Sequence, residues 1–232
     1  MIKAVFFDLY HTLIHYHPRR EQVLALSLDR RGIKAEMSEL RRAIIVGDEF
    51  FYQENARNRV GRRTETEAHA FWLEYQAVVL KEAGIAPNLE LLEGTVADMQ
   101  QAPFERVLFD DVLPALDLLV GRGFKLGLIS NVDQDISPLL NKLGLSSYFA
   151  VVLTSKDVGV TKPDPRIFHE AVNRVGVETA ETMYIGDQYQ IDTLGALNAG
   201  LKALLLDREN SHPELAATEK INSLDELQNK LA

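Results

Sequence analysis

A near-continuous apolar run, Ile2-Lys3-Ala4-Val5-Phe6-Phe7, stops on a carboxylate, Asp8, and continues as Leu9-Tyr10-His11-Thr12-Leu13. Rich in Val and Phe and too short for a buried helix, the run reads as a central strand covered on both faces. In an open α/β sheet, ligands sit beyond the carboxyl ends of the strands, so Asp8 stands where chemistry is expected. Turn chemistry at a strand exit also favours Asp, and this segment alone leaves both readings open.

The chain beyond residue 110 supplies that strand with partners. Asp111 to Gly121 reads as an amphipathic helix closed by Gly123, and Phe124 to Ile129 as a buried strand ending at Ser130-Asn131. A helix through Leu139, Leu140 and Leu143 stops at Gly144 and leads to the strand Phe149–Leu153. Asp164-Pro165 opens a further helix, with Asp as N-cap and Pro at the first helical position. Thr182 to Ile185 is the next strand, ending at Gly186-Asp187; a helix from about Gln190 leads to Gly200 and a last strand, Lys202–Leu206. The polar tail, with Leu224 and Leu227 as its apolar exceptions, predicts a short surface helix. Strands alternating with helices through short connections predict a doubly wound parallel sheet.

Residues 18–100 behave differently. Arg20–Arg31, a segment opening at Ser38, and Thr64–Ala83 all carry helical apolar periodicity, and no strand-like run interrupts them. This predicts an α/β core made of residues 1–14 and 101–232, with a separate all-helical domain inserted at 15–100. Phe71, Trp72 and Tyr75 are expected in the core of the inserted domain.

Composition narrows the function. A formal charge of -9 opposes nucleic-acid binding and binding to an anionic membrane. The absence of cysteine removes disulfides, thiolate metal sites and thiol nucleophiles. With no secretory leader pattern and no apolar run of spanning length, a soluble cytoplasmic protein is expected.

The strand exits are the informative positions. Asp8, Ser130 with Asn131, and Asp187 would emerge on one edge of a parallel sheet. Asp8, Asp187 and Asp192 form a carboxylate set suited to Mg²⁺, although Asp187 and Asp192 would equally serve as helix caps. Ser130 and Asn131 offer hydroxyl, amide and backbone N–H groups for phosphate oxygens, or an ordinary turn. Lys162, between Gly159 and Pro163, could swing to the same edge and neutralise charge there, or be solvated.

Four motifs in order, Phe7-Asp8-Leu9-Tyr10-His11-Thr12-Leu13, Ile129-Ser130-Asn131, Thr161-Lys162-Pro163-Asp164-Pro165, and Gly186-Asp187 with Asp192, resemble those of the haloacid dehalogenase superfamily of hydrolases over nearly the whole chain. The resemblance is to the phosphatase-like branch, with residues 15–100 as the family's helical cap. It implies that Asp8 is the nucleophile that becomes an aspartyl phosphate and that Thr12 hydrogen-bonds near it. Ser130 and Asn131 would bind the transferring phosphoryl group, and Lys162 would hold that group and Asp8 together. Asp8, Asp187, Asp192 and the backbone carbonyl of Tyr10 would bind Mg²⁺. The implied substrate is a small phosphate monoester, enclosed when the cap closes. Its identity and the oligomeric state leave no mark in the sequence.

One position departs from the phosphatase pattern: Tyr10 stands where those enzymes carry a second Asp as general acid and base. A phenol of pKa about 10 is a poor base near neutrality, and losing such help costs roughly 10²–10⁴-fold in rate. Tyr10 also resembles the first motif of 2-haloacid dehalogenases, in which Asp8 would attack carbon without a metal. The carboxylates at 187 and 192 would repel an acidic substrate and oppose that reading. A non-catalytic member binding a phosphorylated ligand or a protein is the third reading. His11, beside the nucleophile, could contact substrate or move a proton, whereas His15 and His17 fit no metal spacing and are expected at the surface or cap entrance. Arg19, Arg20, Arg41, Arg42, Arg57, Arg59, Arg62 and Arg63 are expected mostly on solvated helix faces, with one or two facing an anionic substrate.

Overall fold

The computed structural model describes residues 1–216 and 219–231. In chain order the strands are β1 (Ala4–Phe7), β2 (Ile14–His17), β3 (Glu105–Leu108), β4 (Lys125–Ser130), β5 (Phe149–Thr154), β6 (Thr182–Gly186), β7 (Lys202–Leu206) and β8 (Lys220–Ile221). The helices are α1 (Arg20–Asp29), α2 (Met37–Arg57), α3 (Glu65–Glu82), α4 (Leu89–Gln101), α5 (Val112–Gly121), α6 (Ser137–Lys142), α7 (Ser155–Val158), α8 (Pro165–Val175), α9 (Leu194–Asn198) and α10 (Leu227–Lys230). No helix among the described residues is long and apolar enough to cross a membrane. The chain forms two units, Met1–His15 with Val107–Ala232, and Tyr16–Arg106.

The first unit is built on a six-stranded parallel sheet of order β5-β4-β1-β6-β7-β8. From β1 the chain adds β4 and β5 on one side, then returns to add β6, β7 and β8 on the other. β1 therefore sits where the winding reverses, and the crevice of a doubly wound sheet opens at its carboxyl end. Side-chain alternation sorts the buried residues into two layers. Val5, Phe7, Leu126, Leu128, Ile185 and Leu206 pack with Val112, Leu116 and Leu119 of α5 and Leu140 of α6. Ala4, Phe6, Ile129, Leu153 and Tyr184 pack on the opposite face with Ile167, Phe168 and Val172 of α8 and Ala196 of α9.

The tail departs from the expected surface helix. Leu224 and Leu227 are fully buried and belong to the first of those layers, with Leu231 beside them and β8 extending the sheet ahead of them. A spacing of three and then four residues puts all three leucines on one face, which the polar residues between them conceal. Asp111 fixes the segment, accepting the Ser223 hydroxyl at 2.9 Å and the Leu224 N–H at 2.8 Å. Also unanticipated, the short segments β2 and β3 pair as a separate two-stranded sheet.

The second unit comprises α1 to α4 around Leu24, Leu28, Leu40, Ala43, Ile44, Tyr75, Val79, Leu80 and Leu91. Thr64 and Glu67 form a capping box at the start of α3, and Asn88 caps α4 by accepting the Leu91 N–H. Phe71, Trp72 and Tyr75 lie in a run of ring contacts with Phe50 and Phe51, in keeping with a packing role. Arg20 does not lie on a solvated face. Its half-buried guanidinium grips both carboxylate oxygens of Asp48, and the Tyr75 hydroxyl donates to Asp48 at 3.0 Å, so the charge is paired at the margin of the helical core. Arg41 pairs with Glu21, Arg42 with Glu39, Arg57 with Glu54, and Arg63 stacks over Phe71.

Because Leu224 contributes to the core of the sheet, Leu224→Ala is expected to destabilise the protein by about 2–4 kcal/mol. Thermal unfolding would show this as a fall of several degrees in Tm, whereas a surface leucine would leave Tm unchanged.

Candidate active site at the carboxyl edge of the sheet

The β1 exit folds back on itself. Leu13 and Ile14 both donate their N–H groups to the Leu9 carbonyl, at 2.9 and 3.0 Å, and the His11 N–H donates to Ile14 O at 2.7 Å. His11 adopts φ 60°, left-handed geometry that a non-glycine residue takes up only when its surroundings impose it. The fold-back buries Thr12 completely and brings its hydroxyl 3.4 Å from Asp187 Oδ1. Arg208, just beyond β7, donates to the Thr12 carbonyl at 2.9 Å while gripping both oxygens of Asp111 and stacking over Phe109. The loop after Asp8 is thus pinned by a side chain from the end of β7.

Lys162 is buried beside this loop, with its ammonium 2.6 Å from Asp8 Oδ1, 2.6 Å from Asp192 Oδ1 and 2.8 Å from the Tyr184 hydroxyl. An ammonium has three protons, and these three acceptors account for all of them. Asn131 orients the lysine through its backbone, donating to Lys162 O at 2.9 Å and accepting the Lys162 N–H at 2.8 Å. The next residue, Pro163, packs against Gly195 so closely that a Cβ at 195 would lie 2.9 Å from the proline ring.

The second acidic segment leaves β6 at Gly186. Asp187 is half-buried, and a π-helical turn over Tyr189–Thr193 carries Asp192 back beneath it into full burial. Asp192 Oδ2 accepts the Gln188 N–H at 3.1 Å, and its Oδ1 serves Lys162 and Tyr184. A Cβ at 186 would overlap the Asp192 carboxylate, so the glycine is what lets that acid fold under the strand end.

Asp8, Asp187 and Asp192 each present a carboxylate oxygen, all within 4.8 Å of one another. One ammonium against two buried carboxylates and a half-buried one leaves excess negative charge, and the proton affinities reflect it. Burial raises the Asp8 carboxyl to about 6; Lys162 opposes the rise and the Asp192 charge adds to it. Asp187 is pushed well above the usual carboxylate range by burial, then by the charges of Asp8 and Asp192. Burial works against the Lys162 ammonium, but the charges of Asp192 and Asp8 outweigh it and hold its pKa above the ordinary value. Burial, with the same two charges, keeps the Tyr184 phenol protonated. Hard oxygen donors in charge excess are the set a divalent cation such as Mg²⁺ prefers. Asp192, with both oxygens engaged, is the least available of the three.

The sequence-predicted residues are thereby brought together in part. Asp8, Thr12, Lys162, Asp187 and Asp192 converge, and Ser130 is buried at the end of the neighbouring strand β4. The Asn131 side chain pairs with the Lys162 backbone, which gives its amide group a part in orienting that loop. Tyr10 forms a bridge with Ile14 and packs against the apolar layer that contains Val5 and Phe7. His15 stacks against Phe109 at 4.6 Å. Tyr184 was missed, although a tyrosine in an otherwise aliphatic buried strand two residues before Gly186-Asp187 signals a phenol that must find partners. Arg208 carried no comparable signal.

The parallel sheet and the acidic cluster at its carboxyl edge set the chain among α/β proteins with a site at the strand ends, and the comparisons give the family. A model of the haloacid dehalogenase-like hydrolases matches residues 2–200, and the chain belongs to that family. It is 31% identical over 210 residues to a glyceraldehyde 3-phosphate phosphatase of Methanopyrus kandleri, covering 90% of this chain and 85% of that protein. It is 34% identical over 127 residues to haloacid dehalogenase-like hydrolase domain-containing protein 3 of Danio rerio, covering 53% of this chain and 52% of that protein, so the match spans about half the length of each. Among solved structures, a HAD phosphatase from Thermococcus onnurineus matches 100% of this chain and 98% of its own, with TM-score 0.56 and 27% identity.

Two measurements test this geometry. In Gly186→Ala the Asp192 carboxylate must move off Lys162, and losing a charge-assisted hydrogen bond of this kind is expected to cost about 1.5–3 kcal/mol in chemical denaturation. The second concerns acid titration. Folding raises the Asp8 carboxyl, so the stability linked to it is complete below its unfolded value and lost as pH climbs through about 6. In EDTA at about pH 7.5, Asp8→Asn is expected to be more stable than the wild type by on the order of 2–3 kcal/mol, a gap that closes by about pH 4. A pH-independent gap would contradict the charge assignment.

Proposed function

We propose that this protein is a Mg²⁺-dependent phosphatase of small phosphate monoesters that works through an aspartyl phosphate on Asp8. The observation that carries the reading is the contact of the buried Lys162 ammonium with Asp8 and Asp192, with Asp187 alongside, at the carboxyl end of the central strand. In this reading a carboxylate oxygen of Asp8 attacks phosphorus, the bond to the leaving oxygen breaks, and water then cleaves the acyl phosphate and restores the carboxylate. Lys162 holds Asp8 in one orientation through Oδ1. Because its protons are already placed, the transferring oxygens fall to the Ser130 hydroxyl and to backbone N–H groups at the strand exits. Asp8, Asp187 and the Tyr10 carbonyl would hold Mg²⁺ with Asp192 behind them, and the ion supplies neutralisation of charge on the phosphoryl oxygens. Residues 16–106 are the family's helical cap in this reading. The names of the Methanopyrus kandleri and Thermococcus onnurineus relatives support a phosphorylated small-molecule substrate. The acidic charge and lack of cysteine support a cytoplasmic setting without nucleic-acid or membrane partners.

Tyr10 gives the reading its kinetic signature. Without a carboxyl acid at this position, the leaving oxygen departs with little proton donation, so rates depend steeply on its basicity. The dehalogenase alternative draws on the same Tyr10, but Asp187 and Asp192 beside the nucleophile would repel a 2-haloacid.

The expected outcome is Mg²⁺-dependent phosphate release from an aryl phosphate, lost in Asp8→Asn. Alkyl phosphates should react far more slowly, and Tyr10→Asp should recover them by roughly 10²-fold or more. Metal-independent halide release from a 2-haloacid would overturn the proposal, and silence on all substrates, Tyr10→Asp included, would leave a ligand-binding protein.

A further inference from the structure

Tyr184 has no place in the chemistry above, yet its hydroxyl lies at the centre of the charged cluster. The residue is on β6, in register with Phe6 of β1, and its ring meets Phe168 edge-on with centroids 5.1 Å apart. Its side chain is fully buried. Packing of this kind would be served as well by phenylalanine, and a hydroxyl carried into such a layer costs free energy unless it is bonded. The Tyr184 hydroxyl is bonded on every side: it lies 2.8 Å from Lys162 Nζ, 3.2 Å from Asp192 Oδ1 and 3.2 Å from the Ile129 carbonyl.

Proton counting assigns the directions. Lys162 donates one proton each to Asp8, Asp192 and Tyr184, and the phenol, having accepted one, passes its single proton to Ile129 O or to Asp192. The two carboxylates and the bond to Cε take three of the nitrogen's four tetrahedral directions, and the phenol fills the fourth. The phenol is the third point that fixes it, and because Ile129 immediately precedes Ser130, the same hydroxyl ties the amine to the end of β4.

We propose that Tyr184 is a positioning residue, the third anchor of the Lys162 ammonium, which holds the nucleophile Asp8 in one orientation relative to Ser130. The kinetic part of this inference rests on the phosphatase reading, and the geometric part does not. Removing the hydroxyl leaves one lysine proton without its acceptor and lets the amine turn away from Asp8. Substrate affinity, to which Tyr184 contributes nothing directly, is retained.

The test is Tyr184→Phe, which keeps the ring. Two readouts are taken beside Tm. In protein labelled with ¹⁵N-lysine, the exchange-protected ammonium resonance of Lys162, assigned by its absence in Lys162→Met, is expected in the wild type and lost in Tyr184→Phe. For aryl phosphate hydrolysis, kcat is expected to fall about 10-fold or more with KM within about 2-fold, as befits a charge-assisted hydrogen bond that orients without binding substrate. An unchanged ammonium resonance in the variant, or no protected Lys162 signal in the wild type, overturns the proposal, as does a variant with wild-type kcat. If the wild type hydrolyses no phosphate ester, the phosphatase reading fails by itself, and the ammonium resonance still decides whether Tyr184 anchors the lysine.

Discussion

The rest of the site depends on one buried contact, the ammonium of Lys162 against the carboxylates of Asp8 and Asp192. Burying charge is costly, and a lone carboxylate at the end of a central strand would take up a proton and cease to be a nucleophile. The lysine limits that rise without abolishing it, because burial is the larger effect and the Asp192 charge adds to it, while Asp187 brings a third acid to a place that has one cation. The site is therefore poised between two ways of shedding its excess charge, binding protons or binding a metal ion.

That contact exists because of the winding of the sheet. Asp8, Lys162 and Asp192 lie more than a hundred residues apart in places, and only a parallel sheet reversing at β1 brings their connecting loops to one edge. Each loop is then tuned locally. Gly186 makes room for Asp192, Asn131 fixes the Lys162 backbone, and Arg208 holds the Thr12 carbonyl.

The sequence made the strands of the sheet legible because buried parallel strands are apolar runs bounded by turn residues, and it made Asp8, Lys162, Asp187 and Asp192 legible because each lies beyond such a run at family spacing. It misplaced residues whose partners are distant. Arg20 looked solvated because Asp48 and Tyr75 lie on other helices, and nothing local reveals that the Asn131 amide pairs with the Lys162 backbone. Leu224 and Leu227 sat in too polar a segment for composition to show burial, though their spacing carried the pattern. Tyr184 read as one more strand residue because periodicity records which face a side chain takes and not what its hydroxyl reaches.

Arg208 also sets an order of events. It joins the Thr12 carbonyl to Asp111, which in turn holds Ser223 and Leu224. A chain still emerging from the ribosome with β1 made and residues from 208 onward unmade has neither the arginine nor the segment that steadies Asp111. The loop that follows Asp8 is translated long before Arg208, so a nascent chain that stops short of the arginine holds the acid without the clamp on its neighbouring loop.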